Sequence, residues 1–136
     1  MSQLFQLGRD ALQGYRTLKL GLLPDRDVLY PRLDARCAWM FENGLVEEVR
    51  GILELGYAPE CKPFESHGYK QALQFVRGEL TPRDAVFYAQ RNTRNYAKRQ
   101  ITWFRCEPGL VWLKDFGDAE HVREFATARV SEFLAA

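Results

Sequence analysis

The chain has 136 residues, 46% of them apolar and 27% charged, a balance that suits one globular domain with a true core. Its 19 lysines and arginines nearly cancel 18 aspartates and glutamates, so bulk charge does not announce a polyanionic partner and any such signal has to be local. Cys37, Cys61 and Cys106 are scattered and odd in number, which argues against a disulfide framework or a C-x-x-C zinc site and for a reducing, cytoplasmic setting. The N-terminus shows no signal-peptide pattern, and no run approaches the roughly 18 apolar residues of a membrane span.

Residues 1–14 carry few signals and read as a flexible arm; residues 15–136 read as one folded unit. An apolar run over residues 15–22 predicts a strand, closed by Leu23-Pro24. Asp25 is placed to cap a helix from about residue 27, with Leu29, Leu33, Cys37, Met40 and Phe41 on one face. Asn43-Gly44 stops it. A second helix over residues 45–55 aligns Val46, Val49 and Leu53, and a proline-bearing loop follows. A third helix begins at His67-Gly68-Tyr69-Lys70-Gln71 and runs to Arg77. Thr81-Pro82-Arg83-Asp84 is a helix start with cap, first-turn proline and acid in place, opening a helix that reaches about residue 104. Pro108-Gly109 turns the chain into a short strand over residues 110–113, and residues 118–134 predict a last helix. The fold class is mostly α with two short strands. Two strands alone make a weak sheet, so they are expected to belong to a larger parallel one.

The helix from Pro82 carries the clearest chemistry. At 100° per residue, Arg91, Arg94, Lys98 and Arg105 fall in one stripe with Thr102 beside them. Val86, Ala89, Tyr96, Ala97 and Phe104 lie opposite, Arg99 lies between, and Phe87 falls on the basic side. Asp84 is the one acid from Thr81 to Arg105. Such a stripe suits a phosphate backbone, with Tyr96 and Trp103 as stacking surfaces, although a solvated face and core aromatics would give the same pattern. Trp103 is expected in the core on either reading. Gly68 opens a helix whose free N–H groups suit an anion; a plain loop-to-helix junction is the alternative. Arg32 and Arg36, one turn apart, suit forked bonds to a phosphate, or stand as a surface pair. Glu47 and Glu48 read as solvated positions. His67 and His121 are the only histidines, which argues against a metal site. Neither G-x-x-x-x-G-K-[ST] nor G-x-G-x-x-G occurs.

Three ordered blocks resemble one family. Arg32-Leu33-Asp34-Ala35-Arg36, then Met40 and Gly44-Leu45-Val46-Glu47-Glu48-Val49, are similar to the R-(I/L)-x-x-R…M…G-L-x-x-E-V segment of bacterial tRNA dimethylallyltransferases, the IPP transferase family. His67-Gly68-Tyr69-Lys70-Gln71 is similar to their (I/L/V)-G-Y-(K/R) block, with histidine where an aliphatic residue is usual. Residues 93–105 resemble T-R-x-(Y/L)-A-K-R-Q-x-T-W-(F/L)-R almost throughout. The resemblance covers about residues 15–113 and implies the C-terminal portion of a P-loop-like, three-layer α/β fold without its N-terminal half. It implies transfer of a dimethylallyl group from dimethylallyl diphosphate to N6 of the adenosine beside the anticodon, with Mg2+ whose ligands lie outside this chain. The P-loop and the aspartate general base are not in the sequence, so the chain is expected to be inactive alone, and the missing half is a possible partner. By resemblance, Arg36 and, less directly, Arg32 contact the diphosphate. Glu65, Ser66, His67, Gly68, Tyr69 and Lys70 form one tRNA-contact segment, with an acid at Glu65 where some members carry a cation. Lys98, Arg99, Gln100, Ile101, Thr102, Trp103, Phe104 and Arg105 form the other, with Arg91 and Arg94 extending its stripe toward the anticodon stem-loop. A stand-alone RNA-binding module without catalysis is the alternative function, and a module for an acidic protein partner is a further one.

Overall fold

The computed structural model describes residues 14–136. The arm expected over residues 1–14 therefore lies, Gly14 apart, outside the described residues. In chain order come β1 (Lys19–Leu22), α1 (Arg26–Glu42), α2 (Leu45–Glu54), a 3-10 turn (Lys62–Glu65), α3 (Tyr69–Val76), α4 (Pro82–Arg105), β2 (Leu110–Leu113) and α5 (Glu120–Ala135). The first strand is shorter than the apolar run predicted, because only its last four residues find a ladder partner.

That partner is β2. The strands are parallel, with Lys19 opposite Leu110 and Leu22 opposite Leu113, and the Leu23 N–H adds a bond of 2.7 Å to the Leu113 carbonyl. Parallel neighbours require a long crossover, and residues 23–109, with four helices, supply it. Gly21 faces Trp112, and a Cβ at that position would approach the indole to 3.0 Å. Glycine thus lets the ring lie against the strand. Lys19 pairs with Glu107 and clamps β1 to the turn before β2.

The core sits on the helical side. Leu45, Val46 and Val49 from α2 meet Ala72 and Leu73 from α3, and Phe64 from the 3-10 turn closes the cluster. Met40, Phe41 and Leu53 pack around it, as their spacing predicted. α1 packs on α4, and α3 also reaches α4. At the α4 surface Ala85 and Ala89 are fully buried, small side chains one turn apart that allow close approach. Thr81 caps α4 as expected, its hydroxyl accepting from the Asp84 N–H at 3.1 Å. Asp25 stands at the N-cap of α1 but its side chain makes no capping bond; its carbonyl accepts from the Leu29 N–H at 2.9 Å instead.

Trp103 departs from expectation: it is 51% exposed, not core. The reason is length. α3 has 8 residues and spans about 12 Å, whereas α4 has 24 and spans about 36 Å, so a helix neighbour of that size covers only part of the apolar stripe. Burial is complete at Ala85 and Ala89 and lapses at Tyr96, Trp103 and Phe104.

Candidate nucleic-acid interface

The stripe read from the sequence divides in two. Arg91, Lys98, Arg99 and Arg105 are exposed on α4, and Phe87 beside them is 51% exposed, which fits its place on the solvent side. The guanidinium of Arg91 lies over the Tyr88 ring at 4.8 Å. Among the described residues no acid forms a salt bridge with Lys98 or Arg99.

Arg94 is placed differently. It turns toward α1 and pairs with Asp34, and Gln90 donates to the Asp34 carbonyl at 3.1 Å. Both partners are about two-thirds or more covered, so the pair fastens α1 to α4. Replacing Arg94 by alanine is expected to cost about 1–2 kcal/mol of stability, since the Asp34 carboxylate would be left half-buried without its partner. Urea denaturation checks this; an unchanged midpoint would show that the pair contributes nothing.

The segment before α3 is more internally bonded than its sequence suggested. Gly68 has φ of 91°, a conformation that favours glycine, and it is buried. Its N–H donates to Oε1 of the buried Gln71 at 3.1 Å, so that N–H is not free for an anion. Ser66 donates to the Pro63 carbonyl at 2.6 Å, while Glu65, His67 and Lys70 are exposed. The Tyr69 hydroxyl donates to Glu48 at 2.6 Å, which raises the phenol above its ordinary pKa because the bonded carboxylate disfavours a phenolate. Glu48 is thus more than a solvated position: it ties α2 to the start of α3. Glu47 does remain at the surface, 3.5 Å from Arg50. His67 sets its ring edge-on to Tyr96, centroids 5.0 Å apart, and so brings the first expected RNA-contact segment against α4.

Arg32 and Arg36 do not converge on one vacancy. Arg32 makes a forked bond to Asp118, 2.7 and 3.3 Å, and lies 4.3 Å over the Phe116 ring. The hydrogen-bonded pairing holds the Asp118 carboxyl below the ordinary carboxylate range and raises the Arg32 guanidinium. Arg36 is exposed and, among the described residues, pairs with no acid.

Sequence reasoning missed the cleft where β1 gives way to α1. About 420 Å³ in size, it is lined by Asp25, Arg26 and Tyr30 on one side and Lys98, Thr102 and Arg105 on the other. Ligands of open parallel sheets gather beyond the carboxyl ends of strands, and three cations there against one acid favour an anion. The signal was Pro24-Asp25-Arg26 directly after a strand, which is meaningful only once α4 is known to pass alongside. No group of three or more His, Cys, Asp or Glu among the described residues is arranged to hold a metal ion. None of the described helices is long and apolar enough to cross a membrane.

The family model described as IPP transferase matches residues 1–107. The tRNA dimethylallyltransferase of Solibacter usitatus is 78% identical over 134 residues, which is 98% of this chain and 44% of that protein. That of Koribacter versatilis is 52% identical over 87% of this chain and 38% of its own length. Among solved structures, the tRNA isopentenylpyrophosphate transferase of Bacillus halodurans aligns with a TM-score of 0.77 at 30% identity, covering 94% of this chain and 42% of that one. Its counterpart from Staphylococcus epidermidis aligns at 0.78 and 28% identity, covering 88% and 39%. The chain spans less than half the length of these relatives.

Proposed function

Because the chain belongs to the IPP transferase family, we propose that it is the RNA-facing part of a cytoplasmic tRNA-modifying transferase. The whole enzyme moves a dimethylallyl group from dimethylallyl diphosphate to N6 of the adenosine beside the anticodon. Residues 15–136 act as one unit of its core. The observation that carries this reading is the exposed cationic edge of α4, Arg91, Lys98, Arg99 and Arg105, next to the cleft at the start of α1. In this reading these side chains contact an anticodon stem-loop backbone, with exposed Lys70 and the turn at Ser66–His67 on the flank. Arg94 supports that edge from behind through Asp34. Arg36 is the group for the diphosphate; Arg32 joins it only by leaving Asp118. Among the described residues no group of three or more His, Cys, Asp or Glu is arranged to hold a metal ion; in this reading the Mg2+ of the family chemistry finds its ligands in the rest of the enzyme, and no step here runs through it.

Each phosphate contact releases counterions, so affinity for an anticodon stem-loop should fall linearly with salt on a double-logarithmic plot. Lys98→Ala and Arg105→Ala are each expected to weaken binding and to reduce that slope by about 1. A folded chain that does not bind the stem-loop, or substitutions that leave the slope intact, would overturn the assignment. Binding that also proves indifferent to dimethylallyl diphosphate and to the rest of the enzyme would favour a stand-alone RNA-binding module.

A further inference from the structure

We propose that a groove on the second half of α4 takes an unstacked nucleobase from a single-stranded RNA loop, with Tyr96 as the residue that stacks on it. The proposal rests on the RNA-facing reading above and adds to it a residue outside both expected contact segments, with a defined kind of contact.

The groove has a volume of about 390 Å³ and is lined by Tyr96, Arg99, Gln100, Trp103 and Phe104. Its aromatic walls are open to solvent: Tyr96 is 45% exposed and Phe104 40%. Tyr96 is also held in place. His67 supports the ring edge-on, at an interplanar angle of 62°, and the Arg99 guanidinium stands 5.7 Å from its centroid. Trp103 and Phe104 meet at 82° and fix the far wall. Preset rings lose little freedom when a base stacks on them. Gln100 adds an amide with both a donor and an acceptor, the equipment for a base edge.

A second hollow adjoins the first and shares Arg99 and Trp103 with it. Its other lining residues are Asn95, Lys98, Thr102 and Cys106, so it adds a second cation and polar groups beside the shared Trp103 ring. An aromatic slot edged by Arg99, with Lys98 beyond it, matches a nucleotide, which brings a ring and a phosphate together. A protein segment fits less well. Covering this face with apolar chain would strip water from Lys98 and Arg99, and no acid follows Asp84 on α4 to pair with them.

The test uses the full 136-residue chain with two probes. One is an anticodon stem-loop carrying 2-aminopurine beside the anticodon; the other is a fully paired RNA of equal phosphate number. Stacking on Tyr96 should quench the 2-aminopurine when the wild-type chain binds. Tyr96→Leu keeps apolar bulk but removes the ring; it should abolish the quench, weaken loop binding roughly tenfold and leave duplex binding unchanged. Tyr96→Phe should restore quench and affinity. Gln100→Ala, at an exposed side chain, gives a second variant should Tyr96→Leu fail to fold, and it too should weaken the loop and not the duplex. If Tyr96→Leu and Gln100→Ala leave the loop untouched, or weaken both RNAs alike while Lys98→Ala still acts, the base site is overturned and the RNA surface stands. If the folded wild-type chain binds neither RNA, both readings fall. Concentration-dependent self-association that Tyr96→Leu abolishes would mark the face as a protein interface, and would overturn the base site as well.

Discussion

Phe64→Ala is expected to destabilise the chain by about 3–5 kcal/mol, the range for emptying a buried phenylalanine site. Phe64 is 4% exposed, and it is the one aromatic ring among the buried apolar side chains of the described residues. It enters from a single 3-10 turn and closes a cluster otherwise built from Leu45, Val46, Val49, Ala72 and Leu73. Those neighbours are anchored in two helices and cannot collapse far into the space. Whole domains are stable by only about 5–15 kcal/mol, so a loss of this size should take away most of the cooperative transition. Phe87→Ala is the control: that ring is 51% exposed, and its removal should change stability by less than about 0.5 kcal/mol. Urea denaturation followed by circular dichroism separates the two, and equal midpoints would show that Phe64 does not close the core. There is a functional consequence. The same turn leads into residues 65–70, so RNA binding should be lost in parallel with structure, not ahead of it.

What the sequence disclosed follows a physical divide. α4 was legible from end to end because its signals are local: Thr81 as cap, Pro82 in the first turn, Asp84 at the third position, and a long stretch without helix breakers. The faces of α1 and α2 were legible because apolar spacing states which side is inward. Partners distant along the chain were not. The helical wheel placed Arg94 with Lys98 and Arg105, and nothing in it could tell that Asp34, sixty positions away, stands beside Arg94 alone. Glu48 looked solvated because Tyr69 reaches it from another helix. The Gly68 N–H looked available because the Gln71 side chain that takes it is ordinary in sequence. Trp103 failed for a different reason. Its position on the wheel continues the buried side of Ala85 and Ala89, but burial depends on how long the covering element is, and α3 stops early. Hydrophobicity alone does not distinguish a core tryptophan from one that walls an open groove.

The 136-residue chain by itself is expected to transfer no prenyl group. In the transfer, a bond forms between adenosine N6 and the first carbon of the dimethylallyl group while the bond from that carbon to diphosphate breaks. Diphosphate leaves with the electron pair, and the N6 proton passes to a base. The leaving group needs dense positive charge or a cradle of backbone N–H groups, and losing one such donor commonly lowers a rate by about 10²–10³-fold. Of the two arginines assigned to the diphosphate, Arg36 is exposed and Arg32 is committed to Asp118. The chain has no glycine-rich phosphate loop, and its described residues hold no metal cluster. Neither histidine lines the α1 cleft: His67 stands edge-on to Tyr96, and His121 lies 3.5 Å from Asp115 on an exposed surface. Several such deficits multiply, and the expected rate falls below detection. Nucleoside analysis by mass spectrometry, after incubating the chain with an anticodon stem-loop, dimethylallyl diphosphate and Mg2+, should show only unmodified adenosine. A prenylated product above the protein-free control would mean that Arg36 and the α1 cleft assemble a working diphosphate site, and the division between an RNA-facing part and a reaction centre would have to be abandoned.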